Sequence, residues 1–374
     1  MAYERDPERH ASQVKMYQSA FRTQALRDQE DVIHLHIDTL VKQLLRLSNA
    51  NGSVDMARAA EWLTFDIIGD LTFGESFGAV EKAQSHAWVD MLLNALYGTT
   101  VMAMTKRAPI LQYLLPWLIP KSALESLALH QQFTFEKVRR RIEIGDSNRR
   151  EDLFAHVIRN KLQTEEQMVQ EATLFLMAGA ETAATTLTTA FYFIIRHPDV
   201  QQKLHTELDK AFSSYESITG DAVAKLPYLN AVLEETMRTF PPVPPGPPRV
   251  SPGEYVDGIY VPKGTYVSTD IMSLHRHPLN APSPHTFDPE RWLKNDREKP
   301  YTAPFSIGPR MCIGVNLAWL EMRVTLAKIA YAYDWKFATD PGDWPNTCRL
   351  TQLWKKPALK CLFSPRSTEH SHKA

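Results

Sequence analysis

The chain has 374 residues, of which 44% are hydrophobic and 23% are charged, so it can bury one large core or two smaller ones. Lysine and arginine (42) nearly balance aspartate and glutamate (43), and the net charge of -1 gives no reason to expect a nucleic acid as a partner. The three cysteines, Cys312, Cys348 and Cys361, are too few for a disulfide framework and indicate a reducing compartment.

Membrane-spanning segments are not predicted, because no stretch reaches roughly 18 apolar residues. The charged N-terminus resembles neither a signal peptide nor an anchor. Residues 110–120, "ILQYLLPWLIP", are apolar, proline-interrupted and carry a tryptophan. This composition fits a buried helix end followed by a loop, and it also fits a peripheral membrane contact.

Helical periodicity dominates the chain up to about residue 240. The first long helix should end at Asn51-Gly52, and Thr164 with Gln167 forms a capping box at the start of the longest one. At 1.5 Å per residue that longest helix is roughly 50 Å long, enough to cross a domain. The predicted helices cover residues 31–50, 54–74, 130–145, 164–196, 199–212, 226–240 and 315–333.

The character of the sequence changes after residue 240. The segment "PPVPPGPPRV" cannot be helical, because proline fixes φ and lacks an N–H donor. Residues 253–270 alternate and turn as short strands do, and further short strands should end the chain. We therefore expect one domain over residues 1–374 that is mainly α with a minor β part.

The stretch "FSIGPRMCIG" has the features of a metal-binding loop. The thiolate of Cys312 is a soft, electron-rich ligand, and the helix that follows directs its positive end at the sulfur. Gly308 and Gly314 permit positive φ and the close approach of a flat ligand. Arg310 could meet an anionic group on that ligand, and Phe305 could limit the access of water.

A lone cysteine is more often a buried structural residue, but five fixed positions of this loop fit F-x-x-G-x-R-x-C-x-G. Zinc is disfavoured, because no second Cys or His lies at ligand spacing. Loop 305–314 resembles the haem-binding signature of the cytochrome P-450 superfamily. The resemblance implies the cytochrome P-450 fold. It also implies a haem b cofactor (iron protoporphyrin IX) with Cys312 as the axial iron ligand. A thiolate ligand favours O–O cleavage.

The segment "AGAETA" lies midway along the longest predicted helix. Gly179, Glu181 and Thr182 together could open the helix locally and seat a water, or they could form a small-residue helix crossing with Glu181 solvated. The segment resembles the oxygen-activation motif of the superfamily. The resemblance implies that Thr182 and Glu181 are catalytic and relay protons to dioxygen. Ala183 replaces the second threonine of many relatives, and we expect little effect.

Three further motifs support the resemblance. Glu235 and Arg238 would read alone as an ordinary surface pair at i, i+3, but they match the E-x-x-R motif. The resemblance adds Arg291 of "FDPERW" and implies a buried structural network. It also implies that Arg249 contacts a haem propionate, where an exposed strand arginine is the alternative, and that the proline-rich turn before it lines the substrate pocket.

The resemblance begins near residue 10 and implies that the family's membrane anchor, first helices and first strands have no counterpart here, so that the domain is N-terminally incomplete. Relatives place an arginine four residues after an aromatic residue or histidine, where it grips a propionate. This chain has His10 and then Val14, with Lys15 as a neighbouring cation. One propionate contact is therefore expected to be lost or altered.

The resemblance implies a haem-thiolate monooxygenase that oxidises an apolar small molecule with O₂ and electrons from NADPH-cytochrome P-450 reductase. It implies the cytosolic face of the endoplasmic reticulum, or the cytoplasm, since this chain carries no anchor. "FDIIGDLTFGESFG" and "PPVPPGPPRV" resemble filamentous-fungal members that act on terpenoids, polyketides or alkaloids in secondary metabolism. Two alternatives are a haem-thiolate isomerase or dehydratase that uses no O₂, which the Glu181-Thr182 pair disfavours, and a truncated, non-catalytic homologue.

Overall fold

The structure is a computed structural model. It describes residues 1–2, 4–86, 88, 91, 100–101, 113, 119–145, 151–295 and 298–366. Most of the apolar segment at 110–120, for which a membrane contact is one interpretation, lies outside these residues. Across the described residues, no helix is both long enough and apolar enough to cross a membrane.

Helices form most of the described chain, and each of the seven predicted helices is present, which confirms the predicted fold class. The largest difference in bounds is at the predicted helix 130–145, which begins nine residues earlier in the structure, at Lys121. The described α-helices are α1 (Pro7–Gln18), α2 (Thr23–Arg27), α3 (Glu30–Asn51), α4 (Met56–Phe73), α5 (Ala79–Lys82), α6 (Lys121–Ile144), α7 (Ala155–Arg159), α8 (Glu165–Arg196), α9 (Pro198–Ala211), α10 (Gly220–Val223), α11 (Pro227–Thr239), α12 (Ile271–His275), α13 (Val315–Ala332) and α14 (Trp344–Thr347).

The strands are short and all pair antiparallel. They are β1 (Val54–Asp55), β2 (Arg249–Val250), β3 (Glu254–Val256), β4 (Ile259–Val261), β5 (Tyr266–Val267), β6 (Tyr333–Phe337), β7 (Arg349–Leu350), β8 (Trp354–Lys355) and β9 (Lys360–Pro365). The largest sheet has the order β1-β9-β6, with Val54 opposite Cys361 and Trp335 opposite Phe363. The pairs β2–β5, β3–β4 and β7–β8 form three two-stranded ribbons.

The ends of the long helices follow from local chemistry. Thr164 and Gln167 form the predicted capping box at the start of α8, since each side chain binds the other residue's backbone N–H. Helix α3 ends at Gly52, whose φ of 67° is left-handed and therefore favours glycine. These two signals are local, which is why the sequence predicted them correctly.

Helix α8 runs through the centre of the molecule and packs along α4. Helix α4 is buried on all sides, because each of its residues except Arg58 is buried. Close packing of the two helices explains Gly179. A Cβ on that residue would lie 2.8 Å from Cγ1 of Ile68 on α4. These two helices form one side of the core, and α13 passes on the other side of the cavity described next.

Candidate functional site

A cavity of about 270 Å³ lies between α8, α13 and the loop that carries Cys312. Its lining is mainly apolar. From α8 come Phe175, Ala178, Gly179, Thr182, Ala183 and Thr186; from the proline-rich turn come Pro242, Val243 and Pro247; from the cysteine loop and α13 come Phe305, Ser306, Arg310, Cys312, Gly314, Leu317 and Glu321. The cavity therefore brings together the cysteine loop, the glycine-threonine segment and the proline-rich turn, three segments that are far apart in sequence.

The cysteine loop is closed by backbone hydrogen bonds. The N–H of Cys312 donates to the carbonyl of Phe305 at 2.9 Å, and the N–H of Met311 donates to the carbonyl of Gly308 at 3.0 Å. Gly308 has a φ of 74°, so this glycine uses the conformational freedom that the sequence suggested. The ring of Phe305 packs 6.0 Å from that of Trp319 on α13, which joins the loop to the helix behind it.

The sulfur of Cys312 opens on the cavity and is surrounded by protein on its other sides. Burial raises the pKa of the Cys312 thiol, and the backbone N–H of Gly314 opposes this by donating towards the sulfur. Gly314 itself has a φ of -86°, so its expected positive φ is wrong. A Cβ there would meet Cys312 Sγ at 3.9 Å, which is ordinary contact. Gly314 acts on the sulfur through its backbone N–H, next to the start of α13, which lowers the pKa of the Cys312 thiol.

A cluster of cationic side chains lies at one edge of the cavity. Arg310 donates to the carbonyls of Glu4 at 2.7 Å and Arg5 at 3.2 Å, and Arg249 donates to the carbonyl of Pro248. Within the described residues, neither guanidinium has a carboxylate within ion-pair distance.

The arginines of this cluster also influence His10, which is buried beside them. Burial and then the charge of Arg310 lower the pKa of both His10 and Arg249. The resemblance put His10 at the aromatic-or-histidine position of a propionate-binding pair. In the structure His10 lies near Arg310 and Arg249. Lys15 is exposed. A ligand with anionic groups could form ion pairs with Arg249 and Arg310, which have no carboxylate partner among the described residues.

Thr182 lines the cavity from the middle of α8, and its hydroxyl donates to the carbonyl of Ala178 at 2.7 Å. The helix continues unbroken from Glu165 to Arg196, so the local opening that the sequence suggested is not formed. The glycine is explained by the close approach of Ile68 instead. Thr182 and Thr186 are the hydroxyl-bearing residues that the described part of α8 contributes to the cavity lining.

Glu181 is oriented differently from Thr182. Its carboxylate is buried and accepts a hydrogen bond from Lys356, in the segment that follows β8. Lys356 also lies 3.5 Å from Glu61 on α4 and donates to the hydroxyl of Thr185 at 3.3 Å. Glu181 is therefore neither solvated nor directed into the cavity.

The structure brings Glu235, Arg238 and Arg291 into one buried network. Arg238 donates to both oxygens of Glu235, at 2.7 and 2.8 Å, and Arg291 donates at 3.0 Å. Arg238 also reaches the carbonyls of Pro284 and Thr286, in the segment before the Pro289–Leu293 turn. The network therefore ties α11 to the chain that leads into the cysteine loop.

Sequence reasoning missed two charged residues near the cavity, Glu321 in its lining and Lys356 beside Glu181. Glu321 lines the cavity from α13, is 3% exposed, and has one carboxyl oxygen without a hydrogen-bond partner among the described residues. A charged residue in the apolar run of α13 was the available signal. Lys356 is paired with a residue 175 positions away, and nothing in "WKKPAL" distinguishes it from Lys355.

Comparison with known proteins gives a consistent result. The family model for cytochrome P-450 matches residues 2–363. Cytochrome P-450 monooxygenase BOA3 of Botryotinia fuckeliana is 35% identical over 375 residues, covering 96% of this chain and 74% of the relative. Trichothecene C-4 hydroxylase of Trichoderma arundinaceum is 32% identical and covers 96% of this chain and 75% of its own length.

Solved structures give the same fold. The crystal structure of the cytochrome P-450DA haem domain matches with a TM-score of 0.79 and 23% identity, over 96% of this chain and 76% of that one. The chain thus spans about three quarters of the length of each of these proteins.

Proposed function

Because the chain belongs to the cytochrome P-450 family of haem-thiolate monooxygenases, we propose that it oxidises an apolar small molecule at a haem held by Cys312. The single observation that carries this proposal is that Cys312, Thr182 and Arg310 line one apolar cavity, with Arg249 near Arg310 and neither arginine paired with a carboxylate of the described chain. We place the whole of residues 1–374 in one haem domain of this family.

The residues present fit a haem. A flat apolar macrocycle with two carboxylates needs an apolar cleft, a ligand for iron and cations for its propionates. The cavity supplies the cleft and Cys312 supplies the sulfur, while Arg249 and Arg310 supply cations that have no carboxylate partner in the part of the chain that the structure describes. His10 adds a polar group at that edge, and Val14 stands at the position where relatives have a propionate-binding arginine. Haem b has these features and is the type that we propose.

When bound, a haem with a thiolate ligand supplies dioxygen activation, because thiolate donation favours O–O cleavage. The chain's own residues then have separate roles. The Gly314 N–H and the start of α13 stabilise negative charge on the sulfur. Phe305 anchors the cysteine loop to Trp319 of α13, and Thr182 presents a hydroxyl that can pass a proton into the cavity.

The lining selects the substrate class. Apart from Thr182, Thr186, Ser306, Arg310 and Glu321, the described lining is apolar, so a hydrocarbon-rich molecule would bind by burial of its surface. The relatives belong to fungal secondary metabolism, and one is named as a trichothecene hydroxylase. We extend this to a terpenoid, polyketide or alkaloid substrate, an NADPH-cytochrome P-450 reductase as electron donor, and a site of action at the cytosolic face of the endoplasmic reticulum.

The test is the absorption spectrum of the purified chain, reconstituted with haem, reduced and exposed to carbon monoxide. A strongly red-shifted Soret band, lost in Cys312→Ala, is the expected result. Cys348→Ala is the matched control, because its sulfur is half-buried and bonds the Trp344 carbonyl, and the band should stay. A spectrum typical of histidine ligation, or a band that survives Cys312→Ala, would defeat the proposal. Product formation without NADPH or reductase would favour an isomerase or dehydratase.

A further inference from the structure

Two facing stripes of side chains connect α11 with the cysteine loop by way of α13. On α13, Trp319 and Arg323 are one helical turn apart, and the guanidinium of Arg323 lies 4.3 Å from the centre of the Trp319 ring. On α11, Asn230 and Glu234 are also one turn apart. The Nε of Arg323 donates to the side-chain oxygen of Asn230 at 2.6 Å, so the guanidinium is held between α11 and the indole.

Both ends of this series of contacts are fixed by the backbone. The Nδ2 of Asn230 donates to two backbone carbonyls just before α11, at 2.5 and 3.2 Å, which leaves its side-chain oxygen for Arg323. At the other end, the indole of Trp319 packs on the ring of Phe305 with ring centres 6.0 Å apart. The carbonyl of Phe305 accepts the N–H of Cys312 at 2.9 Å. The contacts therefore run without interruption from α11 to the residue that carries the sulfur.

Glu234 is the group of this series that titrates near neutral pH. Burial raises the pKa of Glu234 to about 7, although the charges of Arg323 and Lys299 work against the rise. These two cations are the charged groups that face Glu234 in the described chain, one from α13 and one from the segment before the cysteine loop. Burial lowers the pKa of Arg323, and the charge of Glu234 opposes this, so the guanidinium remains a cation. Near neutral pH, the net charge beside Trp319 therefore depends on how much of Glu234 is ionised.

We infer that Arg323 is a positioning residue that acts on Cys312 through Trp319 and Phe305, and that Glu234 makes this action depend on pH. The inference rests on the proposed function, because it concerns an iron that the sulfur holds. The guanidinium fixes the indole, and the indole supports Phe305, whose carbonyl keeps the Cys312 N–H bonded. The same guanidinium adds a positive charge near the loop, and the aromatic side chains between them screen it less than water does.

The step that this charge affects is the reduction of a haem held by Cys312. One electron from the reductase adds one negative charge at the iron and its sulfur ligand, and no covalent bond forms or breaks. A cation such as Arg323 favours the uptake of that electron, whereas a carboxylate opposes it. As pH rises through the pKa of Glu234, its ionisation cancels part of the effect of Arg323, so the midpoint potential should fall. By the same coupling, reduction of the haem should favour the protonated form of Glu234.

The first experiment is a spectroelectrochemical titration of the holoprotein. At about pH 6, where Glu234 is mostly neutral, Arg323→Gln should lower the equilibrium constant for one-electron reduction by about three- to tenfold. This is a fall of roughly 30–60 mV, at about 59 mV per tenfold change. Arg323→Lys keeps the charge and should stay within about twofold of the wild type. Arg196→Gln is the matched control, because its guanidinium also lies over a ring, 5.2 Å from that of Phe337 on β6, and it should not change the midpoint.

Glu234→Gln tests the pH dependence in the same apparatus. The wild-type equilibrium constant should fall as pH rises from about 6 to about 8, on either side of the pKa of Glu234, and Glu234→Gln should remove that part of the fall. Glu254→Gln is the matched control, because Glu254 is an exposed residue of β3, and its curve should match that of the wild type. Equal pH dependence in the wild type and Glu234→Gln overturns the inference, as does an unchanged midpoint in Arg323→Gln.

Amide hydrogen exchange separates the positioning role from the charge. In the holoprotein, Trp319→Leu should speed exchange of the Cys312 amide by about fivefold, the effect of one lost aromatic contact. Trp319→Phe keeps a ring against Phe305 and should restore most of the protection. If Trp319→Leu does not fold, Arg323→Gln decides in its place, because release of the indole should also speed exchange. Unaltered exchange in the variant measured overturns the positioning role.

Failure of this inference is distinguishable from failure of the proposed function. The carbon monoxide spectrum reads the sulfur ligand, whereas the midpoint potential and the amide exchange read the surroundings of that ligand and need no turnover. A normal red-shifted band with unchanged midpoints and unchanged exchange defeats the role of Arg323 alone. A chain without the red-shifted band defeats the proposed function, and the inference with it.

Discussion

Glu181 and Thr182 are consecutive residues of α8, yet Thr182 lines the cavity whereas Glu181 is bonded to Lys356 on another side of the helix. The acid and the hydroxyl of the oxygen-activation motif are thus not assembled at one point in this arrangement. Thr182 lines the cavity, whereas the Glu181 carboxylate is paired with Lys356. The two residues should therefore respond differently to substitution.

The first prediction concerns Thr182. Thr182→Ala should retain the haem and its carbon monoxide spectrum but lower product per NADPH, with productive turnover falling by about 10²-fold, the lower end for loss of a proton-transfer group. Thr182 is one of two threonines that α8 contributes to the cavity lining, and it lies one helical turn before the other, Thr186. The measurement is product against NADPH consumed, together with peroxide released.

Thr188→Ala is the matched control for that experiment. Its hydroxyl makes the same bond to the carbonyl four residues back, at 2.7 Å, but the residue is buried and lies further along α8, by roughly one and two-thirds turns. It should leave product per NADPH unchanged. If Thr182→Ala and Thr188→Ala behave alike, Thr182 has no special role in proton delivery.

The second prediction concerns the cationic cluster. Arg249→Gln or Arg310→Gln should weaken haem retention by about 10- to 100-fold, because a hydrogen bond to a charged group contributes about 1.5–3 kcal/mol. Arg310→Gln should also raise the pKa of His10 in the haem-free protein, since the charge of Arg310 helps to lower it. Haem transfer to a scavenger protein and NMR titration of His10 provide the measurements.

Arg349→Gln is the control for both, because Arg349 is an exposed residue of β7. It should change neither haem retention nor the His10 titration. Unaltered haem retention in both Arg249→Gln and Arg310→Gln would mean that the propionates lie elsewhere.

The sequence predicted those parts of the site whose chemistry is contained in a short segment. The cysteine loop, the E-x-x-R pair and the capping box each depend on residues within ten positions, and the structure forms all three. The pairing of Lys356 with Glu181 joins residues 175 positions apart. Neither residue's neighbours carry a signal of it, because the contact arises only when the segment after β8 is packed against α8.

Of the two interpretations of the Gly179 segment, the structure forms the small-residue helix crossing and not the local opening, although Glu181 is buried instead of solvated. Helix propensity suggested a weak point in the helix, but tertiary packing against Ile68 decides that position and the helix is continuous. Propensity describes an isolated segment, whereas Gly179 lies where two buried helices approach each other. For the same reason the burial of Glu321 could not be predicted from sequence, because it depends on how α13 packs beside the cavity.

The third prediction concerns the Glu235 network. Glu235→Gln should lower the free energy of unfolding by about 3–5 kcal/mol, because it leaves two buried guanidinium groups without their carboxylate. Urea unfolding of the haem-free protein gives the value. Glu290→Gln is the control, since its pair with Lys203 is exposed and such pairs contribute less than about 1 kcal/mol. Equal costs for the two variants would contradict a buried structural role.

The last prediction concerns Glu321 and pH. Burial raises the pKa of Glu321 well above its ordinary value of 4.5, and no charged group among the described residues opposes the rise. Between that ordinary value and the raised one, the folded protein holds a proton that the unfolded chain releases. The free energy of unfolding must therefore fall as pH increases through this window, by up to about 1.4 kcal/mol per pH unit.

Glu321→Gln removes this dependence, because the amide resembles the neutral acid in shape and does not titrate. The wild type should lose stability relative to Glu321→Gln as pH increases from about 5 towards neutral, while below the ordinary pKa the two should differ little. Urea unfolding of both proteins across that range is the measurement. Parallel curves would show that Glu321 is ionised when folded, and hence that a cation or a water in the cavity stabilises it.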